Sequence, residues 1–504
     1  MKHYTLGEYV KLLEEKGMLA EYNLQGKDGE EIKLLTYDSR EVTRGTLFIC
    51  KGAAFKAEYL KNSMNQGAVC YVSEKKYELE KEVPYILVKG IRDAMAVLAN
   101  FFYNKPWEDL AVIGFGGTKG KSTSTYYMKA VVDDYLAAQD KPESAVISTI
   151  DIYDGKSKVE SHITTPEAVE LQMHLRNALD CNIEYAEMEI SSQALKYGRV
   201  DEMQFDVSVF LNISEDHISP IEHPDFEDYF QSKMKMFEKS KIAVVNLDAD
   251  YIDQILEASK AAGEVVTFST KNPEADYYAY NIHKEGKDIH FSVKCEAFDE
   301  EFVLTMPGFF NVENALGVVA ASVKLGIPTE YIHSGLRRAR SSGRMEFYHS
   351  KDHEVMAIVD YAHNKLSFEK LFSAMKEEFP DYGLVAIFGC PGKKSLLRRK
   401  YLGTIAGQYS KMVYLVAEDP GYEPVEDISK EIAQYVEAQK CPYKMIEDRG
   451  EAIKDAIETA EGKTLLLVTG KGAETRQKYG CEYLDCPSDV EYVQRYLAEY
   501  DSRH

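Results

Sequence analysis

The stretch Gly116-Gly117-Thr118-Lys119-Gly120-Lys121-Ser122-Thr123 follows the apolar run Leu110-Ala111-Val112-Ile113 and precedes a helical segment from Thr125 to Leu136. A strand that ends in a Gly-rich turn and opens a helix brings backbone N–H groups, a lysine ammonium and a hydroxyl to one point, so it can cradle a triphosphate and its Mg²⁺. The same order of elements is the start of a parallel α/β sheet, because a strand followed at once by a helix returns to the sheet by a crossover. Phe115 stands where the usual P-loop has glycine, with glycines at 114, 116 and 117 instead. The motif therefore predicts an ATP or GTP user with an irregular loop.

A chain of 504 residues is too long for one ordinary core and suggests about three domains. Acidic residues outnumber basic ones by 83 to 60, a formal net charge of −23, which argues against attraction to nucleic acid or to an anionic membrane surface. The amino terminus runs into the polar segment Glu14-Glu15-Lys16 rather than an apolar h-region, and no later segment has the length of a membrane span. Eight cysteines are scattered without a C-x-x-C pair, so free thiols in a reducing compartment are expected and a zinc site is not. A cytoplasmic protein fits these features.

Short apolar runs at 32–37, 46–50, 68–72 and 85–88 predict a small α/β module over residues 1–105, closed by the break Asn104-Lys105-Pro106-Trp107. Residues 106–338 alternate strands (145–150, 185–189, 207–212, 242–246) with helical stretches, as a parallel sheet requires. Within them, 265–307 departs from the pattern, and runs such as Val265-Val266-Thr267-Phe268 and Glu301-Phe302-Val303-Leu304 suggest an antiparallel insertion. Residues 339–504 hold four apolar runs, 355–359, 384–388, 412–416 and 464–468, each followed by polar or Gly-rich residues. Ligands of an open parallel sheet bind beyond the carboxyl ends of its strands, so these four ends predict one site.

Glu189 closes one strand and His217 follows another, in Asn212-Ile213-Ser214-Glu215-Asp216-His217; from strand ends of the P-loop sheet both could reach a metal-phosphate region. Taken singly, each reads equally well as a helix cap or a surface turn.

In order along the chain, these words resemble the Mur ligases: Asp38-Ser39-Arg40, the loop Gly117 to Thr123, Thr164-Thr165-Pro166, Glu189-Ile190-Ser191-Ser192, Asn212 with Asp216-His217, Asn311 with Asn314, Gly343-Arg344-Met345-Glu346, Asp360-Tyr361-Ala362-His363 and Gly470-Lys471-Gly472. The resemblance runs almost end to end. It implies three α/β domains: a uridine-nucleotide-binding domain, a central ATPase-like domain with a parallel sheet, and a Rossmann-like domain for an amino acid. It further implies ATP-dependent addition of an amino acid to a cell-wall precursor by a monomer, with no nucleic-acid or membrane partner.

By position, the resemblance implies that Ser39 holds the uridine nucleotide and that Thr164, Thr165, Ser191 and Arg199 hold the muramoyl dipeptide. Gly117, Thr118, Lys119, Gly120, Lys121, Ser122 and Thr123 would take the phosphates, with Asn311, Arg344 and Asp360 contacting ATP. Ser122, Glu189, His217 and Lys233 would position Mg²⁺, with Lys233 carbamylated. A deprotonated lysine that traps CO₂ becomes an anionic oxygen ligand, a change that burial favours; on residues alone Lys233 reads as a solvated helix lysine like Lys235 and Lys239. ATP would convert the dipeptide's free carboxylate to an acyl phosphate that an amine attacks, with Lys121 offsetting charge on the transferred group.

The branch of the family that adds meso-diaminopimelate as third residue carries Asp-Asn-Pro-Arg, whose arginine clamps the extra carboxylate. This chain has Glu418-Asp419-Pro420-Gly421. Loss of the guanidinium and retention of two acids favours a side chain ending in an ammonium, and L-lysine is the natural candidate. By the resemblance Arg399 binds the α-carboxylate, and Glu418, Asp419, Gly470 and Glu474 lie close to the amino acid. Gln193 and Ala473 replace frequent histidines, and Lys56-Ala57-Glu58 replaces a frequent Asp-Gly-His. Two alternatives stand beside the main reading: a paralogue using another amino acid or acceptor, and a nucleotide-binding regulatory protein without catalysis.

Overall fold

The computed structural model describes residues 1–52, 55–161, 163–215, 218–219, 222–393 and 396–504. Three sheets follow one another along the chain, each covered by helices on its faces. The first has five strands in the order Leu19–Asn23, Tyr85–Val88, Ala68–Ser73, Thr46–Ile49 and Leu34–Thr36, parallel except for Leu19–Asn23. Its inner strands are buried throughout and almost wholly apolar because helices cover both faces.

The second sheet has eleven strands. Its centre is the strand Ala111–Gly116, which lies between Tyr185–Glu189 and Phe205–Phe210 and is parallel to both. Alternate side chains enter two cores: Ile113 and Phe115 pack with the helices Lys121–Ala137 and Phe310–Lys324, and Val112 with the helix Ala168–Asp180 on the opposite face. With three neighbouring strands running one way, Gly116, Glu189 and Phe210 end at the same edge, which is where the chain places its polar words.

Residues 265–307 differ from the sequence expectation of an antiparallel insertion. The strand Glu264–Ser269 is parallel to Ser240–Asn246, joined to it by the helix Ile252–Ser259, and Tyr277–Glu285 is parallel in turn. Antiparallel pairing begins only between Tyr277–Glu285, Asp288–Lys294 and Asp299–Leu304, which extend the same sheet to its edge. A four-residue apolar run carries no direction; the intervening amphipathic helix is what makes the connection a parallel crossover.

The third sheet runs Glu346–His349, Val355–Asp360, Thr464–Thr469, Gly383–Phe388, Met412–Leu415, Tyr443–Met445, parallel except for the first strand. The four apolar runs read in the sequence are thus adjacent in space, and their polar carboxyl ends share one edge. A hairpin, Arg476–Tyr479 with Glu482–Asp485, follows. Among the described residues no helix is long and apolar enough to cross a membrane.

Candidate active site

The loop after Gly116 is held by the neighbouring strand end. Asn212 accepts from Lys119 N through Oδ1 (2.8 Å), donates through Nδ2 to Lys119 O (3.0 Å), and takes Thr118 N on its carbonyl (3.0 Å). Lys121 opens the helix Lys121–Ala137 and turns its Nζ back to the carbonyls of Gly117 (3.0 Å) and Thr118 (3.1 Å). No acidic residue stands in the helix's first turn, so its N-terminal N–H groups and the Lys121 ammonium suit an anion. The loop lines a cleft of about 260 Å³ with Glu189, Thr164, Asn314, Arg344 and Asp360.

Glu189 is 1% exposed, and its carboxylate accepts from Thr149 N (2.8 Å) and Thr149 Oγ1 (3.1 Å). Ser122 is buried at the same cleft and its Oγ accepts from Arg344 (3.1 Å). Lys233, in the helix Phe226–Met234, is 3% exposed and donates to Gly117 O at 2.7 Å from beneath the loop. That burial removes the reading of Lys233 as a solvated helix lysine. His217 lies outside the described residues. Among the described residues no group of three or more His, Cys, Asp or Glu side chains is gathered as for a metal. The hydroxyl of Ser122 and the carboxylate of Glu189 are nonetheless hard oxygen donors on one cleft, which suits Mg²⁺ rather than a softer metal.

Thr164 and Thr165 tie the next wall to Glu189. Thr165 Oγ1 donates to Glu189 O (2.8 Å) and accepts from Ser191 N (3.0 Å), Ser191 caps the helix Ser192–Lys196, and the hydroxyls of Thr149 and Thr164 lie 3.2 Å apart, the Thr149 proton being given to Glu189. Arg199 donates to Thr165 O (3.0 Å) and pairs with Glu167 (2.9 Å), which Lys51 of the first sheet also reaches at 2.6 Å. Tyr37 bonds Glu170, so the partly buried Ser39 sits two residues from a contact between the first and second sheets.

Asp360 ends the strand Val355–Asp360 and accepts from Met345 N (2.9 Å) and Ala362 N (2.7 Å). Burial raises its carboxyl above the ordinary carboxylate range against the pull of Arg344 and these two N–H groups. Arg344 lies 4.1 Å from the ring centroid of Tyr361. Asn311, in the helix Phe310–Lys324, is buried and does not line the cleft: it donates to Pro307 O (2.7 Å) and accepts from Asn314 (3.1 Å), which does line it.

Beyond the strand Met412–Leu415, Glu418 is 7% exposed, Gly470 lies against its carboxylate, and Oε2 has no hydrogen-bond partner among the described residues. Burial pushes its carboxyl up to about 7, although Arg449, Arg398 and Lys471 pull the other way. Asp419 and Glu474 are both bonded to Lys471, and Glu474 also accepts from Tyr361 (2.8 Å). Arg399, expected to bind an α-carboxylate, has a 2%-exposed guanidinium that is bidentate to Glu423 (2.8 and 2.7 Å) and bonds Glu431. Gly421 is paired through its backbone to the hairpin, donating to Lys478 O (3.0 Å) and accepting from Gly480 N (2.7 Å). Thr149, Tyr361 and Lys471 belong to the site without being expected there from the sequence. Tyr361 and Lys471 stand inside the motifs that carry Asp360 and Gly470, and Thr149 closes the apolar run that begins at Ala145.

The chain matches the Mur ligase middle domain over residues 116–322 and the Mur ligase, glutamate ligase domain over residues 343–472. It is 31% identical to the UDP-N-acetylmuramyl-tripeptide synthetase of Lactobacillus acidophilus over 99% of this chain and 98% of that one. The chain belongs to the Mur ligase family. It is also 38% identical to the UDP-N-acetylmuramoyl-L-alanyl-D-glutamate--L-lysine ligase of Enterococcus faecalis, covering 89% of this chain and 88% of that one. This Mur ligase shares its three-sheet fold with a UDP-N-acetylmuramoyl-L-alanyl-D-glutamate--2,6-diaminopimelate ligase (TM-score 0.66, 22% identity, all of both chains). It is similar in fold to Mycobacterium tuberculosis folylpolyglutamate synthase too (TM-score 0.59, 15% identity, 75% of this chain and 91% of that one).

Proposed function

We propose that this Mur ligase uses ATP to join L-lysine to a free carboxylate of the glutamate in UDP-N-acetylmuramoyl-L-alanyl-D-glutamate, through an acyl phosphate, in peptidoglycan precursor synthesis. The observation that carries the reading is the single cleft shared by the nucleotide loop, Glu189 and Thr164, whose lining residue Tyr361 bonds Glu474, which Lys471 joins to Asp419 in a loop where position 421 is glycine and not arginine. The names of the relatives point the same way. Residues 1–105 would bind the uridine nucleotide through Ser39, 106–338 would bind ATP, and 339–504 would bind the amino acid. One chain supplies all of these walls, which fits a monomer acting in the cytoplasm on small molecules.

In the first step an oxygen of the dipeptide carboxylate bonds to the γ-phosphorus, the β,γ-bridging P–O bond breaks and ADP leaves. Gly117 to Thr123 would cradle the phosphates, Lys119 and Lys121 would offset their charge, and Asn311, Arg344 and Asp360 would hold the rest of the nucleotide. In the second step the amine nitrogen attacks the acyl carbon, phosphate leaves with the former carboxylate oxygen, and the nitrogen loses a proton. Thr164, Thr165, Ser191 and Arg199 would fix the acceptor so that this carbon meets the amine.

Ser122, Glu189, His217 and a carbamylated Lys233 would hold Mg²⁺, which when bound supplies charge neutralisation at the phosphates. Lys233 fits that role in being buried against the loop carbonyl of Gly117.

The test is phosphate release from ATP and Mg²⁺ with UDP-N-acetylmuramoyl-L-alanyl-D-glutamate and a panel of amino acids. L-lysine is expected to support turnover and meso-diaminopimelate to support little. Preference for diaminopimelate would sink the argument from Gly421, and no turnover with any amino acid would favour another acceptor or a regulatory protein.

A further inference from the structure

Lys471, the middle residue of Gly470-Lys471-Gly472, lies between two carboxylates, those of Asp419 and Glu474. Its side chain is 4% exposed, and its Nζ is 3.0 Å from Asp419 Oδ1 and 2.5 Å from Glu474 Oε2. Both acids are fixed by further bonds: Lys478 N donates to Asp419 Oδ1 (2.9 Å) and Tyr361 to Glu474 Oε1 (2.8 Å). The pair therefore stays put whichever cation lies between them. Lys471 also stands in the wall between two spaces. One is shared with Thr149, Arg344 and Tyr361 toward the phosphate side, the other with Asp448, Tyr479 and Tyr492 behind the hairpin.

The chemistry of the occupant is informative. A primary ammonium on a four-carbon stem is the side chain of Lys471 and of L-lysine alike, so two anchored carboxylates that fit the first fit the second. Glu418, whose Oε2 is buried and unpartnered among the described residues, is the adjacent acceptor not already engaged. Without a cation, the partly buried Asp419 and Glu474 would lie close together as like charges beside the buried Glu418, which is costly.

We propose that Lys471 is a resident surrogate for the ammonium of the incoming amino acid: it holds Asp419 and Glu474 neutralised while the pocket is empty and yields at least one of them to a diamine, which makes it a specificity-determining residue. An amino acid without a side-chain cation leaves Lys471 in place and gains nothing from the two carboxylates. This rests on the amino-acid pocket of the proposed ligase; its alternative is a purely structural ion pair that substrates never contact.

The experiment compares L-lysine with L-norleucine, which lacks the ammonium, in the complete reaction with ATP and the UDP-linked dipeptide. In Lys471→Met the preference of KM for lysine over norleucine should rise about tenfold, equivalent to about 1.4 kcal/mol, because the internal competitor is gone. Lys471→Arg, which keeps a charge, should stay near the wild-type ratio. Parallel changes in both KM values, or a fall in the ratio, would overturn the proposal in favour of a structural pair.

A second measurement needs no variant. Acylation of Lys471 by an amine-reactive ester held in equal excess over total free amine in both arms, read by mass spectrometry on the native enzyme, should increase with saturating L-lysine and not with L-norleucine. Equal labelling in the two cases overturns the proposal even if Lys471→Met does not fold. Wild-type protein that turns over neither amino acid would refute the proposed function instead.

Discussion

Gly470 and Gly421 make a matched pair for testing whether Glu418 is locked in the pocket. Both have positive φ, +104° and +59°, so alanine at either adopts a backbone that costs about 1–2 kcal/mol. Their surroundings differ. A Cβ on Gly470 would lie 2.3 Å from Glu418 Oε2 and 2.8 Å from its Cδ, whereas on Gly421 the nearest atom beyond its neighbours is Gly480 O at 3.9 Å. Because Glu418 is buried, relieving that overlap means displacing it, at about 1–3 kcal/mol for overpacking. Gly470→Ala should therefore lose roughly 2–5 kcal/mol in all and Gly421→Ala only the backbone part, roughly 1–2 kcal/mol.

A chain of three sheets does not unfold in one two-state step, so the assay is the shift of the first melting transition together with amino-acid KM. Displacing Glu418 removes a charge-assisted contact of about 1.5–3 kcal/mol, so the KM for L-lysine should rise about ten- to a hundredfold in Gly470→Ala while the KM for ATP stays within about twofold. If the two alanine variants melt alike and share one amino-acid KM, the close approach of Gly470 to Glu418 is not what shapes this pocket.

Lys233→Ala should lose most of its activity and recover part of it when a short carboxylate is added, since the added acid can supply the anionic oxygens that a carbamate would; an unaffected variant would refute that role. Glu418 gives a pH signature. Its folded-state value of about 7 lies above its unfolded one, so its stabilising contribution is complete below about pH 4.5 and lost as pH rises through about 7, while binding of a cationic amino acid improves over that last interval. The KM for L-lysine should thus fall between about pH 6 and 8, and Glu418→Gln should flatten the profile; a profile unchanged by the substitution would remove Glu418 from the contact.

The nucleotide loop is legible in the amino-acid sequence because its chemistry is local: glycines, a lysine and a hydroxyl within eight residues of a strand end determine an anion site. The four apolar runs of the last third are legible for a similar reason, each being a strand with its polar end attached. Strand direction near residue 265 is not, since a short apolar run is the same read either way and only its packing beside Ser240–Asn246 makes it parallel. Thr149 carries no signal of its own, because a threonine after a strand is unremarkable until Glu189, forty positions away, is found bonded to it.

Family, fold class and the words that line the cleft are therefore written in the sequence, because motif chemistry and hydrophobic period depend on near neighbours. How the charges pair was decided only by the tertiary structure. It set Arg399 between Glu423 and Glu431, buried Lys233 against Gly117 and placed Lys471 between Asp419 and Glu474. Ion pairing depends on distances between groups tens of residues apart, and those distances exist only once the sheets have brought their carboxyl ends together.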